Sequence, residues 1–174
     1  MEPKKPISHF AAGGILGAFM IIYSLVMYFS GMQQNSGAGW ISLCIMVAGL
    51  VIFINLYGKA NNNYVSFGNL FSYGFKVTAF MTLIVVVYTI LSFIVLPEMK
   101  EKIFEAARTN MEKQGKLSEE QIDKAMEMTR KFFTVFMIGG ILLTYAIVGA
   151  IGSLIGAAVT KKRPYNPLEQ LDTK

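Results

Sequence analysis

The segment EMKEKIFEAARTNMEKQGKLSEEQIDKAMEMTRK, residues 98–131, decides how the rest of the chain folds. It contains eight Lys or Arg residues and eight Asp or Glu residues. The apolar run 77–96 precedes it and the apolar run 132–159 follows it, and neither run contains a charged residue. So many charges cannot lie in hydrocarbon, whereas each flanking run is long enough to cross a bilayer. The sequence therefore predicts two membrane spans joined by a charged segment that stands in water.

Two further apolar runs, 10–29 and 40–57, have the length of membrane spans. The whole chain is 53% hydrophobic and 16% charged, with a mean hydropathy of +0.47, which is unusual for a soluble domain of 174 residues. A cleaved signal peptide is the rival interpretation of the first run, but this run is longer than the usual signal core. The sequence predicts one all-α membrane domain, residues 1–174, with four transmembrane helices at 10–29, 40–57, 77–96 and 132–159 and a disordered tail at 164–174.

The charged segment is typical of a helical hairpin. Gly115 interrupts it at the position of a helix C-cap, and Ser118 and Gln121 have the spacing of a capping box. Two short helices of this kind are marginal alone in water, so their thin apolar stripe needs a cover. That cover is the second helix of the hairpin, the membrane surface or a partner. The predicted partner contacts are Met99, Ile103, Ile122 and Met126. The alternative is a hairpin that only connects two spans.

Small residues at four-residue spacing predict faces where transmembrane helices approach closely. The first span has one such pair and the last span has several. The predicted helix-packing residues are Gly13, Gly17, Gly149, Gly152, Ser153 and Gly156.

Aromatic and basic residues at the ends of the runs predict anchors at the membrane interface. Residues 64–76 repeat aromatic side chains every three or four positions, which indicates a short interfacial helix before the third span. An early start of the third span explains the same pattern. The predicted anchors are Trp40, Tyr64, Phe67, Phe71, Lys76, Lys161, Lys162 and Arg163.

The net charge of +5 arises outside the hairpin, at both termini and in one short connection. This distribution indicates orientation in a membrane rather than binding to nucleic acid. Four spans place both termini on one side, which carries Lys4, Lys5, Lys59 and Lys76. The sequence therefore predicts cytoplasmic termini and an extracytoplasmic hairpin at 98–131.

The composition argues against an enzyme and against a cofactor or metal site. Cys44 is the only cysteine and His9 the only histidine, and no predicted span contains an acidic residue. We expect no catalytic residue, no cofactor and no metal. Five uncharged polar residues of the spans are candidates for a polar path through the membrane: Ser24, Asn55, Thr82, Thr89 and Tyr145.

Four motifs resemble one family: AAGGILG in the first span, VSFGNLFSYGFKVT before and within the third, EKQGKLSEEQIDKAMEM in the hairpin, and the glycine-rich last span ending in KK. It is the bacterial integral-membrane family known as domain of unknown function 4199. The resemblance covers about residues 8–162. It implies a four-span protein of the bacterial inner membrane and supplies no activity, ligand or catalytic residue.

These observations favour a small multi-pass inner-membrane protein of structural or accessory function. It would act through helix packing and through its extramembrane hairpin. The expected partners are the lipid bilayer and another membrane protein or a second copy of the chain. The alternative is a subunit of a transporter or channel for ions or small molecules.

Overall fold

The computed structural model describes residues 5–32 and 36–163, whose regular structure is entirely helical. The five helices are α1 (His9–Phe29), α2 (Ser36–Ala60), α3 (Phe67–Val95), α4 (Pro97–Gln114) and α5 (Glu119–Val159). Four of them, α1, α2, α3 and α5, are long and apolar enough to cross a membrane. The predicted all-α class with four apolar spans is confirmed. The predicted disordered tail, 164–174, lies outside the described residues.

The separate interfacial helix before the third span is not confirmed, because α3 runs without a break from Phe67 to Val95. Ser66 caps its start and accepts a hydrogen bond from the backbone N–H of Asn69 at 3.1 Å. Leu70 and Tyr73, in the first two turns, are buried in the core of the bundle. Packing against the other helices therefore makes this segment the first part of the third span.

Pro97 separates α3 from α4. A proline disfavours the helical conformation in the residue before it, and Leu96 is accordingly non-helical, with φ −126° and ψ 73°. Pro97 itself occupies the first turn of α4, where its missing N–H costs no hydrogen bond.

The turn between α4 and α5 has the two features that its sequence predicts. Gly115 has φ 62°, the left-handed conformation that glycine adopts without a steric penalty. At Ser118 both hydrogen bonds of the capping box are present: its side chain accepts from the Gln121 N–H, and its own N–H donates to the Gln121 side chain.

Helix α4 lies against the first part of α5. An apolar cluster of Phe104, Ile122, Met126 and Phe133 fills the space between them. On the outside, Arg108 pairs with Asp123 at 2.9 Å, and the hydrogen bond to that carboxylate is the main reason why the pKa of the Arg108 guanidinium is raised. This cluster links α4 to α5 independently of the main core.

The main core lies among α1, α2, α3 and α5. Helix α3 contacts all four other helices, and α5 contacts α2, α3 and α4. Large apolar side chains remain on the outer faces; Phe19, Ile52 and Leu143 are 60%, 58% and 64% exposed. Such a continuous apolar exterior suits contact with lipid rather than water. The most buried core residues are Ala12, Met46, Leu50, Ile54, Leu70, Val77, Met81 and Ala157.

Candidate functional site: an uncharged polar cavity

In one half of the bundle, small residues let the helices approach each other closely. An added methyl group on Gly13 would lie 2.9 Å from the carbonyl oxygen of Val77, and one on Gly156 would lie 2.5 Å from Cδ1 of Ile54. These distances leave no room for a side chain. The helices are therefore tightly packed at these contacts, in the half of the bundle that contains the end of α5.

The other half contains a cavity of about 250 Å³ between α1, α2, α3 and α5, which we call the bundle cavity. Larger side chains separate the helices there, including Met20, Tyr23, Tyr88 and Tyr145. Helical spacing explains how single helices contribute several groups, as with Ile141 and Tyr145 on adjacent turns of α5. The remaining lining residues are Ile21, Ser24, Met27, Ala38, Gly39, Ser42, Val85 and Thr89.

Hydroxyl groups supply the polarity of the bundle cavity. Tyr23 donates a hydrogen bond to the carbonyl oxygen of Ala38 at 2.7 Å, which ties α1 to the first turn of α2. Thr89 donates to the carbonyl oxygen of Val85 at 2.8 Å, within α3. The hydroxyl oxygens of Tyr23 and Thr89 can each still accept a hydrogen bond from a bound molecule. Ser24, Ser42, Tyr88 and Tyr145 add further hydroxyls.

Among the residues that the structure describes, no Asp, Glu, His, Lys or Arg lines the bundle cavity. Its described walls therefore contain no ionisable group of these types that could relay a proton or pair with an ion. A cavity of this size with hydroxyls on apolar walls suits a small uncharged molecule or the polar end of an amphipathic one.

A groove between α2 and α5 adjoins the bundle cavity on the outer face, and we call it the α2–α5 groove. Its volume is about 610 Å³. It shares Gly39, Ser42, Ile141 and Tyr145 with the bundle cavity, so the two are sides of one gap. Its other lining residues are Trp40, Leu43, Phe136, Met137, Gly140 and Thr144. The groove and the bundle cavity therefore adjoin at these four shared residues.

The predicted helix-packing residues all lie at helix contacts inside the bundle. Gly17 lies against Ile84 of α3, and Gly152 lies against Leu50 of α2. Sequence reasoning missed the residues on the opposite faces, above all Gly74 and Thr78 of α3. The VSFGNLFSYGFKVT motif contains both, but their role depends on which helix is the neighbour. The predicted residues, each buried, are Gly13, Gly17, Gly149, Gly152, Ser153 and Gly156.

The predicted partner stripe of the charged segment is mostly covered by the chain itself. Met99, Ile122 and Met126 are 7%, 3% and 6% exposed, whereas Ile103 is 42% exposed. Sequence reasoning missed Phe104, which is 2% exposed. The apolar face of α4 is centred one residue further along than the predicted stripe, because Phe104 packs against Phe133 at a ring distance of 4.9 Å.

The predicted interface anchors are on the surface. Trp40 is 71% exposed at the start of α2, and Lys76 is exposed on α3. Lys162 lies 5.5 Å from the ring of Phe67 and donates a hydrogen bond to the carbonyl oxygen of Ala157. The other predicted anchors are Tyr64, half-buried Phe71, Lys161 and Arg163.

Three of the five residues predicted for a polar path, Ser24, Thr89 and Tyr145, line the bundle cavity. Thr82 is instead buried in α3 and donates to the carbonyl oxygen of Thr78 at 2.8 Å. Asn55, half-buried on α2, is not part of the cavity lining. In the described part of the chain, no three His, Cys, Asp or Glu side chains form a cluster that could hold a metal ion.

Four apolar helices around an uncharged cavity define an α-helical protein of the multi-span membrane class. The chain belongs to the family described as "Protein of unknown function (DUF4199)", which matches residues 12–162. The resemblance seen in the sequence is thereby confirmed. No curated protein and no solved structure matches the chain.

Proposed function

We propose that this protein binds a small uncharged amphipathic molecule in the bundle cavity and acts as a subunit of a transport system in the bacterial inner membrane. The observation that carries the proposal is the bundle cavity itself, where all four candidate spans contribute to an uncharged, hydroxyl-lined wall. The α2–α5 groove supports it by offering access from the lipid side. The proposal assigns no catalytic step to the chain.

The single tryptophan provides a direct test, because Trp40 lines the α2–α5 groove. The full chain, purified in mild detergent, is titrated with a brominated long-chain alcohol, an uncharged amphipathic probe whose bromine quenches tryptophan fluorescence at short range. We expect saturable quenching of Trp40. A brominated fatty acid of equal length should quench less, because no described residue of the walls is a cation that could pair with its carboxylate.

A matched pair of variants on α2 shows whether the probe occupies the gap. Ser42→Leu fills space shared by the bundle cavity and the groove, and we expect it to weaken saturable quenching. Ala48→Leu adds a similar bulk on an exposed face of the same helix and should leave quenching unchanged. Linear quenching of equal slope in all three proteins would mean simple partition into the micelle and would contradict the proposal.

Association with a second copy of the chain is the other function that a specific observation favours. Gly140 and Thr144 are four residues apart in the α2–α5 groove, and nothing lies within 4 Å of a methyl group added to Gly140. Such an open small-residue pair allows another helix to approach closely. We expect Gly140→Leu to lower the oligomer fraction measured by light scattering, and Gly139→Leu, which also adds bulk into open space, to leave it unchanged. Equal oligomer fractions in both variants would exclude this face.

The length of α5 supports a placement of the chain in the membrane. Helix α5 has 41 residues, a length of about 60 Å, whereas the hydrocarbon core is about 30 Å thick. We infer that α4 and the charged start of α5 stand outside the hydrocarbon as an extracytoplasmic hairpin, and that the termini are cytoplasmic. The basic residues at the other end of the bundle support this orientation.

A further inference from the structure

A second cavity, of about 400 Å³, lies at the opposite end of the bundle, where α1 and α3 begin and α2 ends. We call it the collar cavity. Its polar lining comes from Ser8 before α1 and from three helices: His9 of α1, Tyr57 of α2, and Asn69, Ser72, Tyr73 and Lys76 of α3. None of its described lining residues also lines the bundle cavity.

Tyr73 makes two contacts that hold the walls of the collar cavity together, a hydrogen bond and a ring stack. Tyr73 donates a hydrogen bond to the carbonyl oxygen of Ile7 at 3.0 Å, which fixes the segment before α1 against α3. Tyr57 and Tyr73 stack with ring centroids 4.2 Å apart, which joins α2 to α3. Three helices and residues 6–8 therefore form the described walls of the collar cavity, and these contacts hold them together.

The charge at this end of the bundle has one sign. Several contacts bring the chain segments together here, including the hydrogen bond from the Arg163 N–H to the Asn63 carbonyl oxygen at 2.8 Å. Every described Asp and Glu lies within residues 98–127, at the hairpin. The described basic residues at the collar end are Lys5, Lys59, Lys76, Lys161, Lys162 and Arg163. An anion entering the collar cavity meets a positive field with no described carboxylate to repel it.

We propose that the collar cavity binds a phosphate group. Lys76 supplies the charge, and His9, Asn69 and Ser72 supply hydrogen-bond donors that phosphate oxygens accept. The source is the headgroup of an anionic phospholipid or a free phosphate. Phe10 and Phe75, next to His9 and Lys76 in the chain, are 57% and 42% exposed and offer apolar surface to acyl chains, which favours the lipid.

Native mass spectrometry of the detergent-purified full chain tests this site. The probes are phosphatidylglycerol, phosphatidylcholine and, separately, inorganic phosphate. We expect phosphatidylglycerol to be retained more than phosphatidylcholine, whose choline cation the collar repels. Lys76→Gln should weaken phosphatidylglycerol binding by about tenfold, since it removes a charge-assisted contact.

Lys59→Gln is the matched control, because Lys59 is an exposed basic residue of the same end outside the collar cavity. It should change binding less than about twofold, the effect of a screened surface charge. Lys76-dependent retention of inorganic phosphate alone would assign the site to a soluble phosphate, and retention of the lipid alone would assign it to a headgroup. Equal losses in the two variants, or no retention of any probe, would overturn the proposal. Thermal unfolding of both variants verifies that they remain folded.

Discussion

A methyl group added to Gly149 of α5 would lie 2.7 Å from Oγ1 of Thr78 on α3, so a side chain of one helix meets the backbone of the other at this pair. One turn away the relationship is reversed. A methyl group added to Gly74 of α3 would lie 2.7 Å from Oγ of Ser153 on α5. Each helix thus presents a glycine to the other's hydroxyl residue, and the two contacts fix both the distance and the register of α3 and α5.

The Gly149 contact predicts a measurable loss of stability. Gly149→Ala places a methyl group against Thr78, whose β-branched side chain has little rotamer freedom in a helix. We expect the free energy of unfolding to fall by about 1–3 kcal/mol, as for other overpacked sites, and the thermal midpoint in detergent to fall with it.

Gly139→Ala is the control for this prediction, because nothing lies within 4 Å of its added methyl group. This variant should leave the thermal midpoint in detergent unchanged or raise it, since alanine favours a helix more than glycine does. A midpoint that falls equally in both variants would mean that α3 and α5 are not this close at Gly149.

Phe104 predicts how the charged segment is held together. Phe104→Ala removes one of the two phenylalanine side chains from the cluster between α4 and α5, and such truncations in a core cost about 3–5 kcal/mol. We expect hydrogen exchange to accelerate throughout α4 and the first turns of α5, while exchange in α1–α3 is unchanged. Ile103→Ala, at a 42% exposed neighbour, should have little effect. If Ile103→Ala accelerated exchange as much as Phe104→Ala, the face of α4 described above would be wrong.

The capping box predicts a local effect at the start of α5. Ser118→Ala removes the side chain that accepts the Gln121 N–H, which should destabilise the first turn by about 1 kcal/mol. Hydrogen exchange at 119–122 measures this change. Ser118→Asp retains an acceptor and adds negative charge at the helix N-terminus, so it should preserve protection. Loss of protection in the aspartate variant would show that the hydroxyl is needed for another contact.

The proposed orientation predicts opposite outcomes for two fusions. A reporter enzyme active only outside the cytoplasm should be active when inserted at Gly115 and silent when fused after Lys174. The physical reason is the set of basic residues at the end of the bundle opposite the hairpin, since Lys and Arg near span ends are retained in the cytoplasm. The reversed pattern would mean that the eight basic residues of the hairpin determine orientation instead.

The local features of the chain could be predicted from short stretches of sequence. Gly115 and Ser118 were predictable because a helix end depends on the residues within one turn of it. The start of α3 was not fixed in the same way. The aromatic repeat after Tyr64 fits an interfacial helix and a longer span equally well, and only burial of Leu70 and Tyr73 against neighbouring helices decides between them.

The candidate site shows the same limit. Thr82 and Thr89 were both predicted for a polar path, and both donate to a carbonyl oxygen of their own helix, yet only Thr89 lines the bundle cavity. A hydroxyl in an apolar helix can face a cavity, a neighbour or its own backbone, and one sequence does not distinguish these. Tyr23, Ser42 and Tyr88 were missed for this reason.

The sequence by itself determined the number of spans, the position of the charged segment and the caps of its helices. Hydropathy over about 20 residues and charge within a run are properties of the chain alone. Only the tertiary structure decided three further features. Gly74 lies against the side chain of Ser153, and Phe104 rather than Ile103 faces α5. Cavities lie between the helices at both ends of the bundle. The Gly74 contact and the cavities depend on which face of an apolar helix meets which neighbour, and a helix that is apolar all round carries no periodic signal for that choice. On the charged helix α4, Ile103 and Phe104 are adjacent and both apolar, and packing against Phe133 selects Phe104.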